Sequence, residues 1–455
     1  MNALIALALV AAAESQAREA APPPATPKPF RVPAPRRLQL DNGLKITLVE
    51  YGAVPKARVA LSVRSGNIDE AADQVWLADL TGDALIEGTA ARTATEIAEA
   101  AARMGGSVDV AVNPDWSRIA GEVLSEFAPE QVRLVADVAR NPRFAPADVE
   151  RRKADRARQL AISRSQPQSL AQEKFLAALY PGHPYGRLFP TPQMLAGFTP
   201  EHLRAFHDQN FGAARSHLYV VGRFDPAAVE AAARQAFGDW KRGTEAKSLP
   251  PAPRAERKVW LVDRPGALQS TISLGLPVLD PKHPDWIAFQ VTNYILGGSF
   301  MSRVTSNIRE QKGYTYSPFS SVTWHRGDAH WVQSADVTTK DTGASLKEIF
   351  AEIDRLRREP PGDAELTAIQ NYANGIFVLQ NSSRTGIASL LEFVDLNGLP
   401  DDYLSTYVDK LRGVKPQDVQ RLAARYLIDD KTAIVVVGDL KTVREQVAPY
   451  GPAVE

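Results

Sequence analysis

The chain has 455 residues, enough for two to four domains. Its 53 lysines and arginines balance 53 aspartates and glutamates, so no net field draws it to nucleic acid or anionic lipid. It contains no cysteine, which rules out disulfides and thiol chemistry.

The chain opens on an apolar run, Ala3 to Ala13, that ends in small residues before Glu14-Ser15-Gln16. This reads as a secretory segment and implies a periplasmic or secreted protein. The run is too short to span a bilayer, no later stretch is longer, and no membrane insertion is expected. Prolines at 22, 23, 24, 27, 29, 33 and 35 predict an extended leader, so residues 1–37 stand apart from the folded protein. Leu38 to Leu40 and Lys45 to Val49, joined through Asp41-Asn42-Gly43, predict a hairpin with an Asn-Gly turn, and Val59 to Val63 alternates like a half-buried strand. Periodicity then predicts helices over 73–86 and 95–104, strands over 107–112 and 117–123, and helices over 127–139, 146–165 and 200–209.

An internal repeat appears at a separation near 215 residues. Pro146-Ala147-Asp148-Val149-Glu150 matches Pro361-Gly362-Asp363-Ala364-Glu365. Pro200-Glu201-His202-Leu203-Arg204 matches Pro416-Gln417-Asp418-Val419-Gln420, and the apolar strand Leu218 to Gly222 matches Ile434 to Gly438. Three matches in order imply two homologous halves, 38–241 and 257–455, joined by a polar, proline-rich linker over 242–256. Strands followed by long helices and a closing strand predict an α+β fold, each half an antiparallel sheet with helices on one face.

Two segments carry chemistry. The first, Trp76-Leu77-Ala78-Asp79-Leu80-Thr81-Gly82-Asp83-Ala84-Leu85-Ile86-Glu87-Gly88-Thr89, resembles the active-site helix of the pitrilysin and mitochondrial processing peptidase family, the inverted zincins, which reads L-A-H-L-L-E-H-x-L-x-x-G-T. In such a site two imidazoles one turn apart hold zinc, and the glutamate between them activates the zinc-bound water. Here Asp79 and Asp83 stand for the histidines and Gly82 for the glutamate, so neither task can be done. Two aspartates one turn apart share a helix face, and a solvated face is the expectation. The family's third ligand falls on the helix Arg156 to Ile162, where Arg158 or Gln159 takes its place. All seven histidines lie at or after position 183, and no metal is expected in this chain.

The second segment, Leu296-Gly297-Gly298-Ser299-Phe300 leading to Arg309-Glu310-Gln311-Lys312-Gly313-Tyr314-Thr315-Tyr316-Ser317, resembles the family's R-E-x-x-G-x-x-Y-S signature. The resemblance implies that Tyr316 reaches the scissile carbonyl of a bound peptide and Arg309 a neighbouring carbonyl or carboxylate. It also implies that Gly298, Ser299 and Phe300 line the substrate path, and that the strand starting at Gly105, Gly106, Ser107 and Val108 is the edge to which an extended peptide pairs. Nearly the whole chain after the leader is covered, which implies the LuxS/MPP-like metallohydrolase fold, with two halves facing each other as a clamshell.

Other candidates are weaker. His183-Pro184-Tyr185-Gly186 reads as a structural loop, His202 and His207 do not share a helix face, and His325 and His330 flank a hairpin turn. Trp76, Trp116, Trp286, Trp324 and Trp331 read as core or chamber wall. The expected function is that of a non-zinc subunit in a heterodimeric zinc peptidase. A homologous partner with H-x-x-E-H would hold the zinc, and the substrate would be a peptide or unfolded protein. The alternatives are an inactive structural subunit, like the core proteins of the respiratory cytochrome complex, or a peptide-binding clamshell that works alone.

Overall fold

A computed structural model describes residue 30 and residues 33–455, and the signal-like segment and most of the proline-rich leader lie outside the described residues. The first half begins with β1 (Arg36–Gln39), β2 (Lys45–Glu50) and β3 (Lys56–Val63). Helices α1 (Leu77–Leu85) and α2 (Ala94–Arg103) lead to the hairpin β4 (Asp109–Val112) and β5 (Ser117–Leu124). Next come α3 (Ala128–Arg140), α4 (Pro146–Ser165), α5 (Pro167–Leu179), α6 (Pro192–Gly197) and α7 (Pro200–Asn210), and the half closes with β6 (Ser216–Gly222) and α8 (Pro226–Phe237). Residues 241–258 carry no regular secondary structure.

The second half repeats the plan. It runs β7 (Val259–Asp263), β8 (Gln269–Val278), α9 (Trp286–Asn293), two π-helical segments (Tyr294–Gly298 and Thr305–Gln311), β9 (Phe319–His325) and β10 (Asp328–Thr338). Helices α10 (Thr342–Arg358), α11 (Asp363–Gln380), α12 (Arg384–Asn397), α13 (Tyr403–Arg412) and α14 (Pro416–Tyr426) follow, then β11 (Ala433–Gly438), α15 (Leu440–Val447) and β12 (Ala453–Val454).

The two six-stranded sheets have matching orders, β1-β2-β6-β3-β5-β4 and β12-β7-β11-β8-β10-β9. Strand for strand, β2 to β6 correspond to β7 to β11, so the repeat in the sequence is a repeat in topology. Both sheets are mixed rather than antiparallel as the sequence predicts, because the long helical crossover brings the closing strand back in the direction of the first. The closing strand returns parallel to the first, β6 beside β2 and β11 beside β7, while the central pairs are antiparallel. The outermost place is filled from opposite ends of the chain, by β1 in one half and β12 in the other.

Each half has its own core, one face of its sheet packed under its own helices. The opposite face is covered by a helix from the other half. From the first half, α5 lies across the outer face of the second sheet, with Ala171, Phe175 and Leu179 against Val435 and Val437. Burying Phe175 and Leu179 contributes about 1.5–3 kcal/mol each. Reciprocally, α12 packs on β3 and β6 of the first sheet. Its Arg384 chelates Glu122 at 2.9 and 3.0 Å, Glu392 accepts from Arg118 at 3.0 Å, and Asp395 from the Tyr219 hydroxyl at 2.8 Å.

One predicted strand start is corrected. Gly105 and Gly106 terminate α2 rather than begin β4: the Gly105 amide donates to the Ala102 carbonyl and the Gly106 amide to that of Ala101. Gly105 has φ +73°, the left-handed conformation that ends helices in this double-bonded cap and that favours glycine. The strand proper starts at Asp109, beyond Ser107 and Val108.

Candidate functional site

The degenerate motif lies on α1, a helix whose Leu77, Leu80, Ala84 and Leu85 are fully buried. Asp79 and Asp83 project from it one turn apart toward α4, and between them sits the guanidinium of Arg156. Its Nε donates to Asp83 Oδ2 at 2.6 Å, one Nη to Asp83 Oδ1 at 2.9 Å, and the other approaches Asp79 Oδ1 at 3.4 Å. The three side chains are 22%, 29% and 17% exposed for Arg156, Asp83 and Asp79. The expected solvated face is therefore a half-buried ion triad. Burying two like charges one helical turn apart is unfavourable unless a cation joins them, and Arg156 is that cation. Asn67 Nδ2 completes the shell of Asp79 at 2.7 Å.

The third-ligand expectation is corrected with it. Arg158 turns outward to Asp155, and Gln159 bonds the Ser163 hydroxyl. Arg156 faces the motif because it shares a stripe with the two buried residues of α4, Val149 and Leu160, spaced by seven and four.

Burial governs the acids around the triad. It raises the Asp79 carboxyl despite the opposing pull of Arg156. Glu70, buried, with the Ala78 amide at 2.8 Å and Asn67 Nδ2 at 3.1 Å, is pushed up to about 8 by burial and by the charge of Asp79.

The position of the missing general base is closed sterically. A Cβ on Gly82 would stand 2.5 Å from Val112 Cγ2 and 3.4 Å from Val110 Cγ1, so side chains of β4 occupy the space a glutamate would need. Carboxylates neutralised by an arginine, with no imidazole beside them, do not suit zinc, whose protein sites combine deprotonated thiolate, imidazole and carboxylate donors around an open centre. The residues present here do not fit the ion. No other group of three or more His, Asp or Glu among the described residues is arranged to hold one.

Arg309 stands near the end of the second π-helical segment, a form often found at functional sites. Asn307, two residues earlier, anchors that turn to Glu348 and Glu352 of α10 at 3.0 and 2.9 Å. The guanidinium is clamped between two aromatic rings, 4.4 Å from the centroid of Phe300 and 4.9 Å from that of Tyr316. Tyr316 is 79% exposed and Phe300 66%. The chain before Tyr316 is tied to β10, with Thr315 Oγ1 donating to the Asp336 carbonyl at 2.6 Å and Thr315 bridging Val337. Of the other expected path residues, Gly298 and Ser299 are buried, the Ser299 hydroxyl donating to the Tyr294 carbonyl at 2.9 Å. Of these three, Phe300 is the one open to a ligand.

Between the halves lies a cavity of about 820 Å3. Asp79, Trp76, Val112 and Trp116 reach it from the first half, and Ser317, Phe319, Trp324 and Asp336 from the second. The far wall is a buried polar cluster that no local motif announces. The Tyr185 hydroxyl donates to Asp115 at 2.5 Å, His325 stacks on Tyr185 at 4.0 Å, and the Tyr180 hydroxyl bridges Asp328 at 2.5 Å and His330 Nδ1 at 3.1 Å. Burial lowers His325 to about 4 and His330 to about 3, keeping both neutral, and raises Asp328 to about 6. His207 likewise contacts the Ala139 carbonyl at 2.8 Å, while His202 caps its own helix through Thr199.

Fold and site together define a peptidase-like scaffold whose metal motif is replaced by an internal salt bridge. Comparison with known proteins places it more closely. Residues 46–193 match the insulinase domain of peptidase family M16, and residues 197–372 match the domain described as the peptidase M16 inactive domain. The chain belongs to the M16, or pitrilysin, peptidase family. It is 27% identical over 415 residues to an uncharacterised zinc protease of Mycobacterium tuberculosis, covering 89% of this chain and 93% of that one. A counterpart from Mycobacterium leprae is 30% identical over 292 residues, 63% of this chain and 65% of the other. In structure the chain is similar to a peptidase M16 inactive domain from Pseudomonas fluorescens, with TM-score 0.83, 23% identity and coverage of 89% and 98%. It is also similar to a chain of Complex III2 from Candida albicans, with TM-score 0.76, 14% identity and coverage of 92% and 100%.

Proposed function

We propose that this chain is the non-zinc subunit of a two-chain M16 peptidase acting outside the cytoplasm. A homologue with an intact H-x-x-E-H motif would provide the metal centre, and this chain Arg309 and Tyr316. The observation that carries the reading is the Arg309 clamp. A guanidinium held between two rings is preorganised, at a gain of about 0.5–1 kcal/mol for an exposed pair, and its tyrosine keeps the hydroxyl free in solvent. A scaffold would gain more by burying that ring. An O–H donor and a guanidinium aimed at the carbonyl oxygen of a peptide stabilise the negative charge that develops there, each by about 3 kcal/mol where water is excluded.

Co-purification with a homologue encoded nearby, followed by peptide hydrolysis assays of each chain and of the mixture, tests this. Hydrolysis is expected only from the mixture. Tyr316→Phe should lower kcat roughly a hundredfold while the complex still forms; wild-type turnover in that variant would remove the assigned role. Isolation of the chain only within a large membrane assembly, with no peptidase partner, would favour the structural-subunit reading.

A further inference from the structure

The cavity between the halves contains a carboxylate that the fold leaves without a counter-ion. Three aspartates reach its wall. Asp79 is paired with Arg156; Asp115 accepts from the Tyr185 hydroxyl at 2.5 Å and the Arg326 amide at 3.2 Å, and the positive charge of the Arg326 side chain acts on it. Asp336 differs. It is half-buried on β10 and its carboxylate accepts from neutral donors, Thr271 Oγ1 at 2.5 Å and Gln168 Nε2 at 2.8 Å. No lysine, arginine or histidine among the described residues forms an ion pair with it. Arg187, the one lysine or arginine on the described lining, is turned away to the carbonyl oxygens of Gly182 and Glu70, at 3.1 and 3.5 Å.

The surroundings suit a long cationic side chain. Trp324 and Phe319 line the same cavity, and aromatic faces attract ammonium and guanidinium groups; the Trp76 and Trp116 rings there already carry Arg156 and Arg118. Thr271 and Gln168 hold the carboxylate in place, so a guanidinium or ammonium meeting it does so without first having to order it. At about 820 Å3 the space is within the range that encloses a ligand of several residues. Its position ties it to Arg309 and Tyr316, because the Asp336 carbonyl is the acceptor for Thr315, the residue before Tyr316.

We infer that Asp336 is a specificity residue, the base of a subsite in this chain that takes a lysine or arginine side chain of a bound polypeptide. The inference rests on the peptide-handling role proposed above but does not need the partner. The test is titration of the full-length chain alone, by calorimetry or tryptophan fluorescence, with two peptides identical except for arginine against its uncharged isostere citrulline. The arginine peptide is expected to bind roughly tenfold to a hundredfold more tightly, the usual value of a hydrogen bond to a charged group. Asp336→Asn should erase that preference while leaving citrulline-peptide affinity unchanged. Gln168→Lys, which sets an internal cation on the carboxylate, should weaken the arginine peptide as well. Equal affinity for the two peptides, binding of neither, or a preference that survives Asp336→Asn in a folded protein would overturn the subsite. A mixture of chains that hydrolyses nothing would instead sink the proposed function and leave the binding result standing.

Discussion

Replacing Arg156 by alanine removes the cation that joins Asp79 and Asp83. Breaking a fully buried pair from one side costs about 3–5 kcal/mol, whereas exposed pairs contribute about 1 kcal/mol or less. With the three side chains between 17% and 29% exposed, an intermediate cost of about 2 kcal/mol is expected. For a urea dependence of about 2 kcal/mol per molar, this lowers the unfolding midpoint by roughly 1 M. The penalty is electrostatic, so two outcomes distinguish it from simple loss of packing. In an Asp79→Asn/Asp83→Asn background the same substitution should cost well under 1 kcal/mol, giving a coupling energy above about 1 kcal/mol in the cycle. Without Arg156 the burial that already raises the Asp79 carboxyl is unopposed, so the variant's deficit should be complete at neutral pH and shrink as the pH falls toward the unfolded aspartate value of about 4. Urea denaturation followed by circular dichroism, at pH 4 and pH 7.5, measures both. A deficit of the same size in the double-asparagine background, or one that grows on acidification, would refute the electrostatic account.

Glu70 offers a second pH signature. Its folded carboxyl is pushed up to about 8 by burial, so the proton it holds favours the folded state below about pH 4.5, and that contribution is lost as the pH rises toward 8. Glu70→Gln, which mimics the protonated form, should flatten this slope and make the variant the more stable protein at pH 8.5, as read from urea midpoints across the range. Gly82→Ala should destabilise by about 1–3 kcal/mol, because its Cβ meets Val112. Combined with Val112→Ala the same change should recover much of that loss, since alanine is the better helix former by about 1 kcal/mol; thermal melts of the single and double variants decide. Arg309→Lys, which keeps the charge but loses the planar group stacked on Phe300 and Tyr316, should reduce hydrolysis by the assembled enzyme at least tenfold. Unchanged kcat/KM would show that charge alone suffices there.

Much of the architecture is written locally. The Asn-Gly hairpin, the α4 helix over 146–165 and the alternation of strands and helices follow from turn chemistry and periodicity, which act over a few residues. The loss of the zinc ligands at Asp79, Gly82 and Asp83 and the spacing of Arg309 from Tyr316 are likewise plain from the chain alone. The double glycine at 105–106 misleads because glycine serves a helix end and a strand start equally well, and only the two amide bonds back into α2 separate them. The Arg156 pairing was within reach, since 149, 156 and 160 form one helical stripe, but an arginine on an apolar stripe reads as an exception until its carboxylates are found.

The two-fold repeat, the class of fold and the loss of the metal motif are all properties of residue order along single elements, and so are legible in the chain alone. Packing in three dimensions sets the rest: that Arg156 joins Asp79 to Asp83, that Val112 fills the space beside Gly82, that α5 and α12 each cover the other half's sheet, and that Asp336 is left without a counter-ion. Each of these depends on which faces of separate elements meet, and side chains 73 residues apart, like Asp83 and Arg156, share a charge balance only once packing has brought them within hydrogen-bond distance and excluded most of the water between them.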